Sequence, residues 1–267
     1  MEKTKQLIKE RDGDFKRKTR MADSHCHLYA IDAADIRSAV ASGVEIMVTN
    51  GVDTKSNMET LSMIDNRNVY GTIGVHPEFA SKLDEDEIEF NKRMIMDNSK
   101  TIVGVGEVGL DYSVANDDKG RNSQKRVFIE MLDCAVKINK PVSVHSRMAL
   151  KDVFSVLDSY HDLKVHIHFF EGNAEQAREA ERRGYMISVP YLSSAARVEA
   201  VKAIGVDMIM AETDSPTAGA KPSEIYRTIE FIAKIKGIGT DISAEATFNN
   251  TKRLFNIGVE KFMRQGL

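Results

Sequence analysis

Six residues of metal-ligand type are the part of this sequence that could do chemistry. They are His25, His27, Glu107, His145, His168 and Asp214. Residues two apart in a strand point to the same side, so His25 and His27 form an imidazole pair. Mixed imidazole and carboxylate ligands suit divalent ions such as Zn, Mn or Fe. Six ligands are too many for one catalytic ion with open positions, so they suggest two ions, with Glu107 as the candidate bridge.

Taken singly, each of these residues also has a structural interpretation. A strand-end histidine is more often hydrogen-bonded within the fold than a ligand, and Glu107 could sit in a tight turn between Gly106 and Gly109. We interpret Cys26 as a small core residue. We interpret His166 as a structural residue of the barrel interior and His161 as a surface residue.

The elements that must position the six residues alternate along the chain. Apolar or β-branched runs predict eight strands, and segments with apolar residues at helical spacing follow each of them. The strands are expected at 21–28, 45–49, 69–75, 101–108, 141–145, 164–169, 185–189 and 207–211. Eight such units predict a (β/α)8 TIM barrel in one domain, with an extra C-terminal helix over 244–255. A doubly wound open sheet is the fallback.

A barrel would bring the six residues together. Active sites of this fold lie at the carboxyl ends of the strands, and all six candidates fall at such ends. The polar stretch 111–122 after the fourth strand is expected to form a loop over that mouth.

Charge and composition set limits on the partners. The 267 residues carry a net charge of −3, so binding of duplex DNA through an overall positive field is not expected. Residues 1–20 form a basic leader with a net charge of +4, which leaves −7 for the domain expected over residues 21–267. Two cysteines and no long apolar run predict a cytoplasmic protein without a membrane segment. No obligate protein partner is evident, so a monomer is expected.

Several motifs, in order along the chain, resemble the TatD family of metal-dependent deoxyribonucleases in the amidohydrolase superfamily. The matching stretches run from residue 22 to about residue 256. They are Asp23-Ser-His-Cys-His27, Gly74-Val-His76-Pro77, Gly106-Glu-Val-Gly-Leu-Asp-Tyr112, Val144-His-Ser-Arg147, His168-Phe-Phe-Glu-Gly172, Glu212-Thr-Asp-Ser-Pro216 and Asn250-Thr-Lys-Arg-Leu-Phe255.

The resemblance implies a role for each matching residue. His25 and His27 would hold one metal, Glu107 would join both metals, and His145 and His168 would hold the second. Asp214 would bind the first metal and handle the proton of the nucleophilic water. The substrate-side residues would be His76, lining the mouth, and Arg147, meeting a phosphate or bracing the ligands. The two cofactors would be divalent ions, with Zn, Mn and Mg as the candidates.

One stretch departs from the family pattern. Many members carry Arg-Asn-x-Pro after the strand-eight aspartate, where this chain has Thr217-Ala-Gly-Ala-Lys221-Pro222. Lys221 could replace part of that segment. Lys119, Arg121 and Lys125 could add further positive charge around the mouth.

The sequence therefore predicts a two-metal hydrolase that cleaves the phosphodiester bonds of DNA, as an exonuclease on single-stranded ends. The alternative is a small-molecule amidohydrolase or lactonase that uses the same dinuclear site. A non-catalytic scaffold or metal store is a third interpretation, disfavoured because a store needs neither Asp214 nor open coordination positions.

Overall fold

Eight parallel strands form one sheet in the computed structural model, which describes residues 19–258. Each strand is hydrogen-bonded to the next along the chain, from the first to the eighth. The strands are β1 (Met21–Cys26), β2 (Val44–Asn50), β3 (Val69–Ile73), β4 (Gly104–Asp111), β5 (Val142–Arg147), β6 (Val165–Ile167), β7 (Met186–Val189) and β8 (Ile209–Ala211). This consecutive order is that of a barrel, so the doubly wound alternative is wrong.

The described residues form nine α-helices, one after each strand and one more at the C-terminal end. They are α1 (Ala33–Ala41), α2 (Thr54–Met63), α3 (Glu85–Asp97), α4 (Asp118–Ile138), α5 (Leu150–Leu157), α6 (Ala174–Arg182), α7 (Ala195–Ala203), α8 (Ile225–Lys236) and α9 (Thr240–Phe255). The predicted extra helix is α9, and it begins four residues earlier than the pattern indicated. No helix among these is long and apolar enough to cross a membrane.

Contacts that follow β8 bring the two ends of the sheet together. The backbone N–H of Asp214 donates to the carbonyl of His25 at 3.0 Å, and that of His27 donates to the carbonyl of Ser215 at 2.8 Å. The Asp23 carboxylate accepts a hydrogen bond from the backbone N–H of Thr213 at 2.9 Å. These hydrogen bonds hold the residues that follow β8 directly beside β1.

Local sequence explains where the helices begin. The Asp53 side chain accepts from the backbone N–H of Ser56 at the start of α2, and Asp84 does the same for Glu87 at the start of α3. Asp117 caps α4 in the same way. Because that cap starts the helix at Asp118, the prediction of a loop over 111–122 is wrong at both ends: Asp111 still belongs to β4, and the connection is short.

Two hydrophobic clusters surround this framework. The larger one lies between the strands and the helices around them. The smaller one joins the amino ends of several strands to α9, whose Phe255 ring meets the His166 ring edge-on at 6.0 Å. Helix α9 therefore covers the end of the barrel opposite the predicted mouth. Most of the predicted basic leader, residues 1–18, lies outside the described residues, and the domain limits stay a prediction.

Candidate metal centre

The six predicted ligand residues meet at the carboxyl ends of the strands. His25, Glu107 and His145 lie in β1, β4 and β5, while His27, His168 and Asp214 follow β1, β6 and β8 directly or closely. All six are buried or nearly so. The predicted convergence on one mouth is therefore what the fold produces.

Gly106 allows β4 to place the carboxylate of Glu107 among the other candidate ligands. A Cβ atom on Gly106 would lie 2.7 Å from the Cβ of Ser143 and 2.8 Å from its carbonyl oxygen. A side chain there would push β4 away from β5, and Glu107 would move with it. The motif Gly-Glu-Val-Gly is thus a requirement of strand packing as well as of chemistry.

The two oxygens of Glu107 face different groups of imidazoles. Oε2 lies 3.4 Å from Nε2 of His25 and 3.5 Å from Nε2 of His27. Oε1 lies 2.9 Å from Nδ1 of His145 and 2.7 Å from Nε2 of His168. One carboxylate therefore stands between two sets of nitrogen atoms, which is the geometry of a group that can bridge two ions.

Asp214 completes the first of these sets. Its Oδ1 lies 3.3 Å from Nε2 of His27 and 3.6 Å from Nε2 of His25. The ligand atoms of these three residues all lie within 4.8 Å of one another. Nδ1 of His27 is 2.9 Å from the carbonyl oxygen of Asn50, which can only accept, so this nitrogen carries the proton. When the ring is neutral, as it is when it binds an ion, Nε2 of His27 has a lone pair directed at the centre.

The second set is oriented by Asp111. Nε2 of His145 lies 3.2 Å from Oδ2 of Asp111, so it can donate to this carboxylate while Nδ1 points at Glu107. Nδ1 of His145 and Nε2 of His168 are 3.2 Å apart. A carboxylate behind a ligating imidazole is a common arrangement in metal sites, since it fixes the ring and raises its basicity.

His76 approaches the same carboxylate but offers a different atom. Its Nε2 lies 3.3 Å from Oε1 of Glu107, within ligand distance of His145 as well. Its Nδ1, however, accepts a hydrogen bond from the backbone N–H of Glu78 at 3.2 Å. In the neutral ring the proton is therefore on Nε2, which donates towards Glu107 and has no lone pair for an ion. In this tautomer His76 offers no lone pair to an ion, and its place on the substrate side of the mouth stays a prediction.

The donor set fits divalent ions. Nε2 of His25 and Nδ1 of His168 are fully buried, yet neither has a hydrogen-bond partner among the described residues. A buried polar atom without a partner is costly, and such atoms usually mark an ion, a water or a functional role. Five imidazole and carboxylate groups around Glu107 are also the ligand chemistry that Zn, Mn and similar ions prefer.

Charge in the centre is divided unevenly among its groups. Burial alone would raise the pKa of the Glu107 carboxyl, but the charges of His168 and His76 and the hydrogen bonds from His145 and His168 hold it well below its usual range. Burial lowers the pKa of His25 to about 3. Burial also opposes a charge on His27, yet its bond to Asp214 and the charge of Glu107 raise its pKa to about 9.

A cavity of about 510 Å³ opens over the centre. His27, His76, Glu107 and Asp214 form its floor, and Arg147 lines its wall. The Arg147 guanidinium is exposed, with no ion pair or hydrogen bond to the described part of the chain. It is the one lysine or arginine among the described residues that line this cavity.

Comparison with known proteins agrees with this geometry. Residues 22–256 match the model of a family described as TatD related DNase. This chain belongs to the TatD family. Human deoxyribonuclease TATDN3 is 28% identical over 258 residues, which cover 88% of this chain and 94% of that protein. The uncharacterized metal-dependent hydrolase YabD of Bacillus subtilis is 31% identical over 255 residues, with 88% and 98% covered.

A solved structure supports the fold of this TatD-family chain. The TatD homologue YjjV of Escherichia coli K12 superposes with a TM-score of 0.82 and covers 90% of this chain and 99% of its own, at 24% identity. Together with the family match, the relatives make this chain a metal-dependent hydrolase of the class that acts on ester bonds.

Two further carboxylates of the TatD-family chain, Asp23 and Glu212, lie in the matched motifs and had no predicted role. Asp23 accepts hydrogen bonds from the backbone and the hydroxyl of Thr213 and thereby ties β1 to β8. Burial raises its pKa to about 7, against those hydrogen bonds. Glu212 accepts from the backbone N–H of Phe169 at 2.7 Å and from the hydroxyl of Ser188 at 2.6 Å. The spacing could have shown both, since each lies two residues before a candidate ligand.

The extra basic residues predicted around the mouth lie elsewhere. Lys221 pairs with Asp35 at 2.9 Å, and Lys125 pairs with Asp152 at 2.7 Å. Arg121 lies over the ring of Tyr112, 4.6 Å from its centroid. Neither these residues nor Lys119 line the cavity over the metal centre. The prediction that they add charge there is wrong, because local acids and an aromatic ring bind three of them first.

The remaining sequence interpretations agree with the structure. His166 is fully buried, with its two ring nitrogens 3.1 Å from the hydroxyl of Ser143 and 2.6 Å from that of Ser188. His161 is exposed. Cys26 is buried, and its thiol lies 3.4 Å from the carbonyl oxygen of Val48.

Proposed function

We propose that this TatD-family hydrolase cleaves phosphodiester bonds of DNA as an exonuclease on single-stranded ends. The observation that carries the proposal is the placement of the Glu107 oxygens, one towards His25 and His27 and the other towards His145 and His168. The deoxyribonuclease named among its relatives supports the substrate class. The proposed enzyme is a cytoplasmic monomer, and the two free, buried cysteines agree with a reducing compartment.

The proposed ligands are His25, His27 and Asp214 for one ion and His145 and His168 for the other, with Glu107 shared. Two divalent ions held there would neutralise a bound phosphate and make water a nucleophile near neutral pH. This would let a chain of net charge −3 bind a polyanion at one point.

The other residues of the mouth would handle the proton and the substrate. Asp214 is ionised at neutral pH, because its bond from His27 and the charges of His25 and His168 lower its pKa in spite of burial. Its carboxylate can accept the proton of an attacking water. The N–H on Nε2 of His76 and the free guanidinium of Arg147 would donate to phosphate oxygens.

A second candidate is hydrolysis of a lactone or a cyclic amide at the same centre. It is favoured by one observation: Arg147 is the single lysine or arginine that lines the cavity among the described residues, and Lys221 is paired with Asp35. A small uncharged substrate needs fewer cations than a nucleic acid does.

Metal analysis paired with a nuclease assay tests the proposal. The wild-type protein, Glu107→Ala and a matched control, Glu171→Ala, are compared with and without a chelator. Glu171 is an exposed carboxylate that lines the same cavity. We expect two equivalents of metal and chelator-sensitive cleavage of single-stranded DNA in the wild type and the control.

Glu107→Ala should retain less metal and lose roughly 10³-fold in kcat/KM, since several kcal/mol of charge stabilisation depend on the ions. One equivalent of metal in the wild type would refute the two-ion site. Hydrolysis of a lactone or amide panel without any cleavage of DNA would refute the nuclease and support the second candidate.

A further inference from the structure

Two aromatic rings that line the cavity over the metal centre, those of Tyr29 and Phe169, belong to neither hydrophobic cluster of the described residues. The Tyr29 ring meets the His27 ring edge-on, with the centroids 5.8 Å apart, so its place is accounted for by the centre itself. Phe169 directly follows His168, is half-buried and lines the cavity over the centre. Phe79 lines the same cavity but packs against the larger cluster, whereas Phe169 is absent from both clusters of the described residues. Packing of the core therefore does not account for Phe169.

The backbone at Phe169 is held in an uncommon conformation. Six non-glycine residues of the described chain have positive φ, and three of them are asparagines, which tolerate it. The other three are Met148, Phe169 and Asp214, with φ of 53°, 46° and 52°. Each of these three follows a strand at the mouth of the barrel. Such strain persists where surrounding structure imposes it, and it clusters at functional sites.

Two buried groups hold Phe169 in place. Glu212 accepts the hydrogen bond of its backbone N–H at 2.7 Å. The guanidinium of Arg197 lies over the ring, 5.0 Å from its centroid, and Arg197 itself is only 5% exposed. Arg197 donates to the carbonyls of Phe170 and Leu192. The guanidinium of Arg197 therefore covers one face of the Phe169 ring. The part of the ring that Arg197 does not cover lines the cavity.

A flat ring fixed at this place is suited to stack on a nucleobase. Aromatic side chains bind the bases of single strands in this way, without preference for one base, because every base has a π face. We propose that Phe169 stacks on the base of the nucleotide whose phosphate lies at the metal centre. This inference rests on the proposed phosphodiesterase function, and it makes an unpaired nucleotide the unit that the site recognises, because a base in a duplex is already stacked and paired.

Substrates with and without a terminal base test this proposal. Two single-stranded oligonucleotides are used, identical except that one ends in thymidine and the other in an abasic tetrahydrofuran residue. Two such pairs are made. The strands of one pair differ at the 3′ end, and those of the other pair differ at the 5′ end. For the end that the wild type attacks, we expect kcat/KM to be about tenfold higher with the base present, mainly through KM.

Phe169→Leu should abolish this preference, because it keeps an apolar side chain but removes the π face. Metal content equal to that of the wild type shows that the centre is intact. Phe169→Tyr should keep the preference. The matched control is Tyr191→Leu, since Tyr191 is an aromatic residue that also lies against an arginine, with Arg227 6.0 Å from its ring centroid, but it does not line this cavity. It should behave as the wild type.

Binding gives a second readout that does not depend on turnover. In the Asp214→Asn background, fluorescence anisotropy should give a Kd about tenfold lower for the strand that ends in a base, and Phe169→Leu should remove the difference. Equal cleavage and equal binding of both strands by the wild type would overturn the stacking proposal alone. A preference that persists in Phe169→Leu would overturn it as well. Failure of the wild type to cleave either strand would refute the phosphodiesterase function and the inference with it.

Discussion

His166 and His168 lie two residues apart at the end of β6, and their surroundings are opposite. His166 belongs to a deep layer of the barrel interior, where both of its ring nitrogens meet serine hydroxyls at 2.6–3.1 Å. His168 belongs to the layer above it, at the mouth, where Nε2 meets Glu107 and Nδ1 has no partner among the described residues. The ring nitrogens of His166 in the deep layer are both hydrogen-bonded within the protein, whereas His168 in the mouth layer has a ring nitrogen without a partner among the described residues.

The difference separates a structural histidine from a functional one better than sequence position does. Burial lowers the pKa of His166 well below its usual range, so it is a neutral ring with one donor and one acceptor, and its environment uses both. The mouth layer holds more ligand atoms than the protein can pair internally. A fold that leaves buried groups unpaired gives up stability for function.

The largest expected effect comes from the mouth layer, with Asp214→Asn. The amide cannot accept the proton of the attacking water, so kcat should fall by about 10²–10⁴-fold. Steady-state kinetics on single-stranded DNA, with metal content measured on the same samples, checks this. A parallel loss of one metal equivalent would make Asp214 chiefly a ligand, and activity within tenfold of the wild type would contradict the assignment.

A matched pair of variants, His166→Leu and His168→Leu, tests the two layers against each other. His166→Leu leaves the hydroxyls of Ser143 and Ser188 without their histidine, so the free energy of unfolding should fall by about 1–3 kcal/mol while metal content is kept. His168→Leu should lose metal, because it removes a proposed ligand. It also removes the 2.7 Å contact between Nε2 and Glu107, so metal content is the quantity that separates the two variants. Equal metal loss in both variants would erase the distinction between the layers.

The last expected effect is a pH dependence of stability in the metal-free protein. Burial opposes a charge on His145, but Asp111 and Glu107 raise its pKa to about 9, and the pKa of His27 is also about 9. Unfolded histidine has a pKa of about 6.5, so the folded state holds extra protons between those values. These two groups stabilise the fold fully below about pH 6.5, and the contribution is lost as pH rises through 9.

Thermal unfolding of chelator-treated protein checks this prediction. The free energy of unfolding should fall between pH 7 and pH 9, by about 2 kcal/mol for each of the two histidines. The fall should be smaller in His145→Gln, since one of the two titrating groups is gone. Metal-loaded protein should not show it, because a ligating imidazole is deprotonated. Constant stability over this range in the metal-free protein would mean that the mouth histidines are neutral without metal.

Much of the mouth was predictable from local pattern. The strand-end positions of His25, Glu107 and His145 follow from apolar runs that stop at a histidine or a carboxylate, and the spacing of His25 and His27 places both on one side. The helix boundaries were less predictable. The start of α4 depends on the Asp117 cap, which begins the helix six residues before its apolar pattern does.

The basic residues show why surface charge is harder to place. Lys221 and Lys125 were predicted as residues that could add positive charge around the mouth. Each instead pairs with an acidic residue of a neighbouring helix. Lys221 pairs with Asp35 in the first turn of α1, and Lys125 pairs with Asp152 in α5. Long flexible side chains bind the nearest opposite charge, and sequence does not reveal which charge is nearest.

By itself the sequence determined the order of strands and helices, the family and the candidate ligand residues, because periodicity and strand-end chemistry are local properties. The tertiary structure alone decided which atoms meet. Closure of the barrel sets Asp23 against Thr213, 190 residues apart, and thereby brings Asp214 to His27. In the closed barrel the two oxygens of Glu107 face two different sets of imidazoles, and the Phe169 ring lines the cavity. Those contacts depend on distances between remote segments, which no local pattern encodes.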